Sequence, residues 1–173
     1  VGYEALYTSV DGSSNTAIGR KALYTFEAGA DAGENTAVGA LSAFALTTGL
    51  GNVSVGKSSM ANATTASNNV AIGLASMGLG VVTGDHNIAI GNASGYDLTS
   101  GNNNILMGKD SGGNLTSGIG NVLLGQEAGT GLVGSHNNVI IGREAGAVAT
   151  ATIQTNVIIG YGAGKGALTG DAD

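Results

Sequence analysis

The chain has no cysteine, no proline and no tryptophan, and only 10% of its 173 residues are charged. Without thiols it can hold neither disulfides nor thiolate metal sites, and the redox compartment is left open. Without proline, nothing removes a donor from a long hydrogen-bonded ladder. Lys plus Arg number 6 against 12 Asp plus Glu, a formal charge of −6 that argues against a phosphate-binding groove for DNA or RNA. The apolar runs fall far short of the ~20 residues of a membrane helix, and no secretory signal is recognisable.

What the chain does have is glycine, 32 residues of it, together with short β-branched bursts. The glycine alone would suit a flexible polymer. A hydrophobic content of 42% with a mean hydropathy of +0.21 does not, because a disordered segment lacks that much apolar side chain. A folded, repetitive β structure is expected.

The repeat is explicit. An Asn opens NTAIG at Asn15, NTAVG at Asn35, NVSVG at Asn52, NVAIG at Asn69, NIAIG at Asn87, NILMG at Asn104, NVLLG at Asn121, and NVIIG at both Asn138 and Asn156. The steps between these residues are 20, 17, 17, 18, 17, 17, 17 and 18. Gly2 keeps the phase at one end, and Asp173 falls where Asn87 falls in its own repeat. The expectation is a single repetitive unit over residues 1–173, a segment of a longer chain.

Each repeat position has a physical task. The residue after Asn is always β-branched, and with the residue two further on it is expected to share one buried strand face. The Gly that follows (Gly19, Gly39, Gly56, Gly73, Gly91, Gly108, Gly125, Gly142 and Gly160) is expected where the backbone needs positive φ or a close neighbour. Three residues later stands Ala or Ser without exception, a tightly packed corner. The strand centre is small early (Ala17, Ala37, Ser54, Ala71, Ala89) and large late (Leu106, Leu123, Ile140, Ile158). Six residues on, the trend reverses, from Leu23, Met60 and Met77 to Gly95, Gly112, Gly129 and Gly146. At crystal-like packing density neighbouring volumes trade against each other, so the two positions should fill one space, with a change of packing style near residues 89–106.

Fragments such as ALTTG (45–49), DLTSG (97–101), NLTSG (114–118) and ALTG (167–170) read as a short second strand and a turn. The resulting fold is all-β: a parallel β-solenoid of about ten 17-residue coils, with the repeat Asn residues stacked as a ladder. Helical repeats need longer periods and tolerate glycine poorly.

NTAIGRKAL (15–23) and SGNNNILMGKDSG (100–112) resemble the repetitive shafts of tail-fibre proteins of tailed bacteriophages, and NVAIGLAS (69–76) is similar to the head motif of trimeric autotransporter adhesins. The resemblance covers the whole chain. It implies a homotrimer about a three-fold axis, a rigid spacer whose partners are further copies of itself, neighbouring fibre segments and a host cell-surface receptor. The implied location is the virion. The alternative is a bacterial surface adhesin, from which the 17-residue step departs.

Reaction centres are hard to find. His86 and His136 are the only histidines and stand 50 residues apart, so they cannot share a metal within one chain. Asp85, Asp97, Asp171 and Asp173 sit in glycine-rich turns without the nonapeptide of calcium-binding rolls. GLGVVTG (78–84) lacks the ending of a phosphate loop. No catalysis, cofactor, metal, nucleic acid or membrane is expected. Glycan binding would draw on exposed aromatics, and Tyr24, Phe26 and Phe44, with the insertion at 24–34, are the candidate receptor contacts. Ice binding would need a regular Thr array, but the strand threonines stop after Thr16 and Thr36. Lys109, Asp110, Glu127, Arg143 and Glu144 are expected as an exposed ladder of mixed sign.

Overall fold

The computed structural model describes residues 1–9, 12–27, 33–147 and 152–166. The readings of ALTG at 167–170, of Asp171 and Asp173, and of the middle of the 24–34 insertion lie outside the described residues. Within them every regular element is a three-residue strand: β1 Thr16–Ile18, β2 Thr36–Val38, β3 Val53–Val55, β4 Val70–Ile72, β5 Ile88–Ile90, β6 Ile105–Met107, β7 Val122–Leu124, β8 Val139–Ile141 and β9 Val157–Ile159. They form one parallel sheet in sequence order, and like residue faces like residue at every step, for example Ala71 opposite Ala89 and Leu123 opposite Ile140. This is a β-solenoid of about eight turns.

Besides the repeat Gly, three positive-φ positions turn each coil. The residue before the repeat Asn and the second and fourth residues after the repeat Gly all take positive φ, as Asn68 (58°), Ala75 (52°) and Met77 (47°) do in the coil of β4. So many reversals leave no room for a second strand. The spacer segments run as turns, tied across coils at shared carbonyls: Thr64 accepts the Thr47 N–H at 2.8 Å and Thr116 the Thr99 N–H at 2.9 Å, and each also accepts that threonine's hydroxyl.

The repeat Gly has a steric cause. Gly19 has φ 132°, and a Cβ there would lie 2.5 Å from the carbonyl oxygen of Gly39 in the next coil. Glycine meets glycine from Gly2 to Gly142, the last against Gly160, so a side chain at any of these positions strikes backbone of the next coil.

The Asn column is a continuous amide ladder. Each side-chain oxygen from Asn15 to Asn138 accepts the backbone N–H of the next Asn at 2.8–3.1 Å. It also accepts that residue's Nδ2, at 3.0–3.3 Å. From Asn35 to Asn138 the Nδ2 donates as well to a spacer carbonyl, Ala66 for Asn52 and Ser135 for Asn121. Asn35 through Asn138 are buried, and they stay so because each amide is satisfied.

The corner of Ala and Ser does more than pack. The hydroxyls of Ser42, Ser59, Ser76, Ser94 and Ser111 each donate to the carbonyl of the strand-centre residue one coil on, at 2.8–2.9 Å. Ala22, Ala128 and Ala145 hold the same position by packing alone.

The core is three stacked columns: strand centres such as Ala71 and Leu123, corner residues such as Leu23 and Met77, and spacer residues including Phe26, Leu46, Leu98, Leu115 and Leu132. The expected trade of volumes is present. A Cβ built on Gly95 would lie 2.8 Å from Leu106 Cδ1, 3.5 Å from Met77 Cγ and 3.7 Å from the Ala89 Cβ. The small pair Ala89 and Gly95 is therefore filled from one neighbouring coil by Leu106 and from the other by Met77. Both trading positions lie inside the coil, in its buried core.

Candidate self-association face

The strand faces need one correction. The β-branched residue after Asn and the apolar residue two further on do share a face, but it points outward. In β2, β3, β5, β7 and β8 the centre is buried and both flanks are half-buried, and in β1 both flanks are exposed. The reason is internal width: a 17-residue coil closes around one strand side chain, one corner side chain and one spacer side chain, and the centre of the strand takes the first place.

The outer face therefore carries two parallel apolar columns. One runs Thr16, Thr36, Val53, Val70, Ile88, Ile105, Val122, Val139, Val157 and the other Ile18, Val38, Val55, Ile72, Ile90, Met107, Leu124, Ile141, Ile159. None of these residues is charged. Ile18 is 47% exposed, Met107 41% and Ile159 65%. The late strands VLL and VII are apolar at all three positions, which is how parallel strands read when both faces are covered.

The residues of the expected charged ladder follow the repeat Gly, and only part of that ladder forms. Lys109 pairs with its own neighbour Asp110 at 3.1 Å and Arg143 with Glu144 at 3.3 Å. Glu127 takes a hydrogen bond from Gln126 instead of an ion pair. Two pairs cross between coils, Lys21 with Glu4 at 3.2 Å and Lys165 with Glu144. Hydrogen bonding from Lys165 holds the Glu144 carboxyl below its ordinary value and, reciprocally, raises the Lys165 ammonium. Glu4 is lowered first by a hydrogen bond from the Tyr3 hydroxyl and further by Lys21, and the same bond raises Tyr3.

The aromatic candidates separate. Phe26 is fully buried in the spacer column and cannot meet a receptor. Tyr24 and Phe44 are half-buried, and with Tyr7 they form a surface stack of rings spaced 5.2 Å apart, with the Lys21 ammonium 4.9 Å from the Tyr24 centroid. The Tyr24 ring is stacked on both sides, whereas Tyr7, at the end of the stack, is exposed.

The remaining polar candidates serve the turns. Asp85 accepts the Ser67 N–H at 2.7 Å, and the His136 Nδ1 accepts the Ile119 N–H at 3.1 Å. Among the described residues no cavity is present, and no cluster of three metal-ligating side chains forms. Compared with known proteins, the chain matches no family model, no curated protein and no solved structure.

Proposed function

We propose that this chain is a self-associating structural shaft, built as a homotrimer with the outer strand faces turned toward a common axis. The observation that carries the reading is the uncharged double column, β-branched at 16 of its 18 positions, on the outside of the nine-stranded sheet. Its eight inter-strand steps of about 4.8 Å make it about 38 Å long. Monomeric soluble proteins rarely leave so continuous an apolar strip open.

A second copy is the occupant that fits best, because only a body with the same rise meets every coil with an equivalent coil. The strip covers roughly 400 Å², about half of what one partner contributes to a stable interface. A three-fold arrangement gives each chain two contacts and draws in the flanking corners. The work of such a shaft is mechanical reach, non-enzymatic, carrying a surface-attachment function for a viral tail fibre. A bacterial surface adhesin would use the same face, and the resemblance in the repeat motif is what favours the fibre.

Light scattering in solution tests this directly. The expected mass is three times 16.7 kDa. A well-folded monomer would overturn the reading, and a dimer would overturn its three-fold form. Ile90→Lys, on the outer face of β5, should give a monomer that keeps its β circular dichroism, because the side chain leaves the coil interior untouched.

A further inference from the structure

A shaft of near-identical coils has a register problem: copies displaced by one coil meet almost the same surface. Resting on the self-association reading, we infer that Met107 and Leu124 are the register-determining residues of the outer face. In the two columns 16 of 18 residues are Val, Ile or Thr, and these two, in adjacent strands β6 and β7 of one column, are the exceptions. β-branched side chains are stiff at χ1 and make a uniform ridge. Met and Leu both lack the branch at Cβ: Met reaches one atom further than Ile, and Leu carries its branch at Cγ, so the two change the shape of the ridge at one place.

The interior does not demand this change. Large strand centres begin at Leu106, beside Met107, and a crowded centre next to an outward residue could have excluded branching. Yet Ile140 stands beside Ile141 in β8, and Ile158 beside Ile159 in β9, so large centres tolerate β-branched neighbours. What distinguishes Met107 and Leu124 lies on the outside.

In register, each residue meets its own copy. A slip of one coil sets Met107 against Ile90 on one side and against Leu124 on the other, and Leu124 against Ile141, so three layers lose their matched branching, beyond the milder Val–Ile and Thr–Val mismatches that any slip brings. The slip also leaves a terminal coil uncovered, a penalty unchanged by substitutions in the middle of the face.

The chain's lack of cysteine makes the test clean. Two single-cysteine forms, Val38→Cys and Val55→Cys, one coil apart, are mixed, refolded together, oxidised and mapped by mass spectrometry. A disulfide needs Cα atoms about 4.4–6.8 Å apart, and a displacement of about 4.8 Å along the axis takes a cross-site pair beyond that range. The native face should give same-site disulfides. In the background Met107→Ile with Leu124→Ile, cross-site disulfides should rise about tenfold, equivalent to about 1.4 kcal/mol of lost discrimination, at unchanged oligomer mass. Restoring the mark elsewhere on that background, with Ile72→Met and Ile90→Leu, should return the same-site pattern. The proposal is overturned if the uniform face keeps the native disulfide pattern, or if the native face already mixes sites. A monomeric native chain would overturn the self-association reading itself, and light scattering separates that outcome from the other two.

Discussion

The coils of β3 and β4 and the coils of β6 to β8 enclose the same space by opposite means. In the first pair the strand centres are Ser54 and Ala71, and the volume comes from Met60 and Met77 at the corner. In the second set the centres are Leu106, Leu123 and Ile140, and the corner is Gly112, Gly129 and Gly146. The corner backbone is left-handed in both, φ 48° at Met60 and 58° at Gly112. Left-handed backbone costs an L-residue roughly 1–2 kcal/mol, whereas glycine adopts it freely at an entropic cost of roughly 0.5–1 kcal/mol. The difference teaches that the total volume of a coil is fixed by its neighbours, while its division between strand and corner is free.

The largest effects should come where the two regions are alike. Asn52→Ala and Asn121→Ala each leave the next Asn's backbone N–H and a spacer carbonyl without partners, while that Asn's Nδ2 loses one of its acceptors and keeps its carbonyls. At about 1–3 kcal/mol per orphaned buried group, each should lower unfolding free energy by about 3 kcal/mol or more, and by the same amount in both regions. Urea titration checks this, and a large inequality would break the view that the ladder is indifferent to packing style. Gly112→Met comes next. A Cβ there is already 3.0 Å from Leu106 Cδ2 and from Leu123 Cδ1, so overpacking joins backbone strain, and a loss of about 2–5 kcal/mol is expected.

The sharper experiment converts one style into the other. Ala71→Leu alone should destabilise the early coils by about 1–3 kcal/mol through overpacking against Met77. With Met77→Gly added, most of that should return. A coupling energy of about 0.5–3 kcal/mol in the double-mutant cycle marks residues that share a space, and a coupling near zero would show that the inverse trend reflects something other than shared volume.

Much of this was legible in the sequence. The Asn ladder, the glycine column and the trade between Ala71 or Leu123 and their corners follow from spacing and side-chain volume. The direction of the strand faces did not follow, for a physical reason. Both faces of these strands are apolar, so alternation in VAI or VII assigns residues to two faces without saying which one is inside. The small centres Ala17 to Ala89 looked like the outer positions, when they are small because Leu23, Met60 or Met77 fills the coil. The absent second strand was misread from Leu and Thr in the spacers, whose burial comes from turns. Phe26 stands among the candidate receptor contacts because the 20-residue step adds chain there, but it packs in the column of Leu46.

The smallest effect separates the two ends of the shaft. Glu4 and Glu144 both have lowered carboxyls, so each contributes stability above its unfolded value, and that contribution is lost as pH falls through the folded value, below the usual 4.5 for glutamate. The largest cause differs. At Glu144 it is the charged Lys165, whereas at Glu4 it is the neutral hydroxyl of Tyr3, with Lys21 contributing less. Salt at about 1 M shortens the screening length to about 3 Å and acts on charges more than on a neutral donor. Carbon-detected NMR titration of the two carboxyls should therefore find Glu144 moving toward the ordinary glutamate value in high salt while Glu4 moves less. Tyr3→Phe, which leaves Lys21 as the main cause at Glu4, should make the two carboxyls move alike. Equal movement at both ends would mean that Lys21, and not Tyr3, governs Glu4, and the two ends would then be held by the same kind of pair.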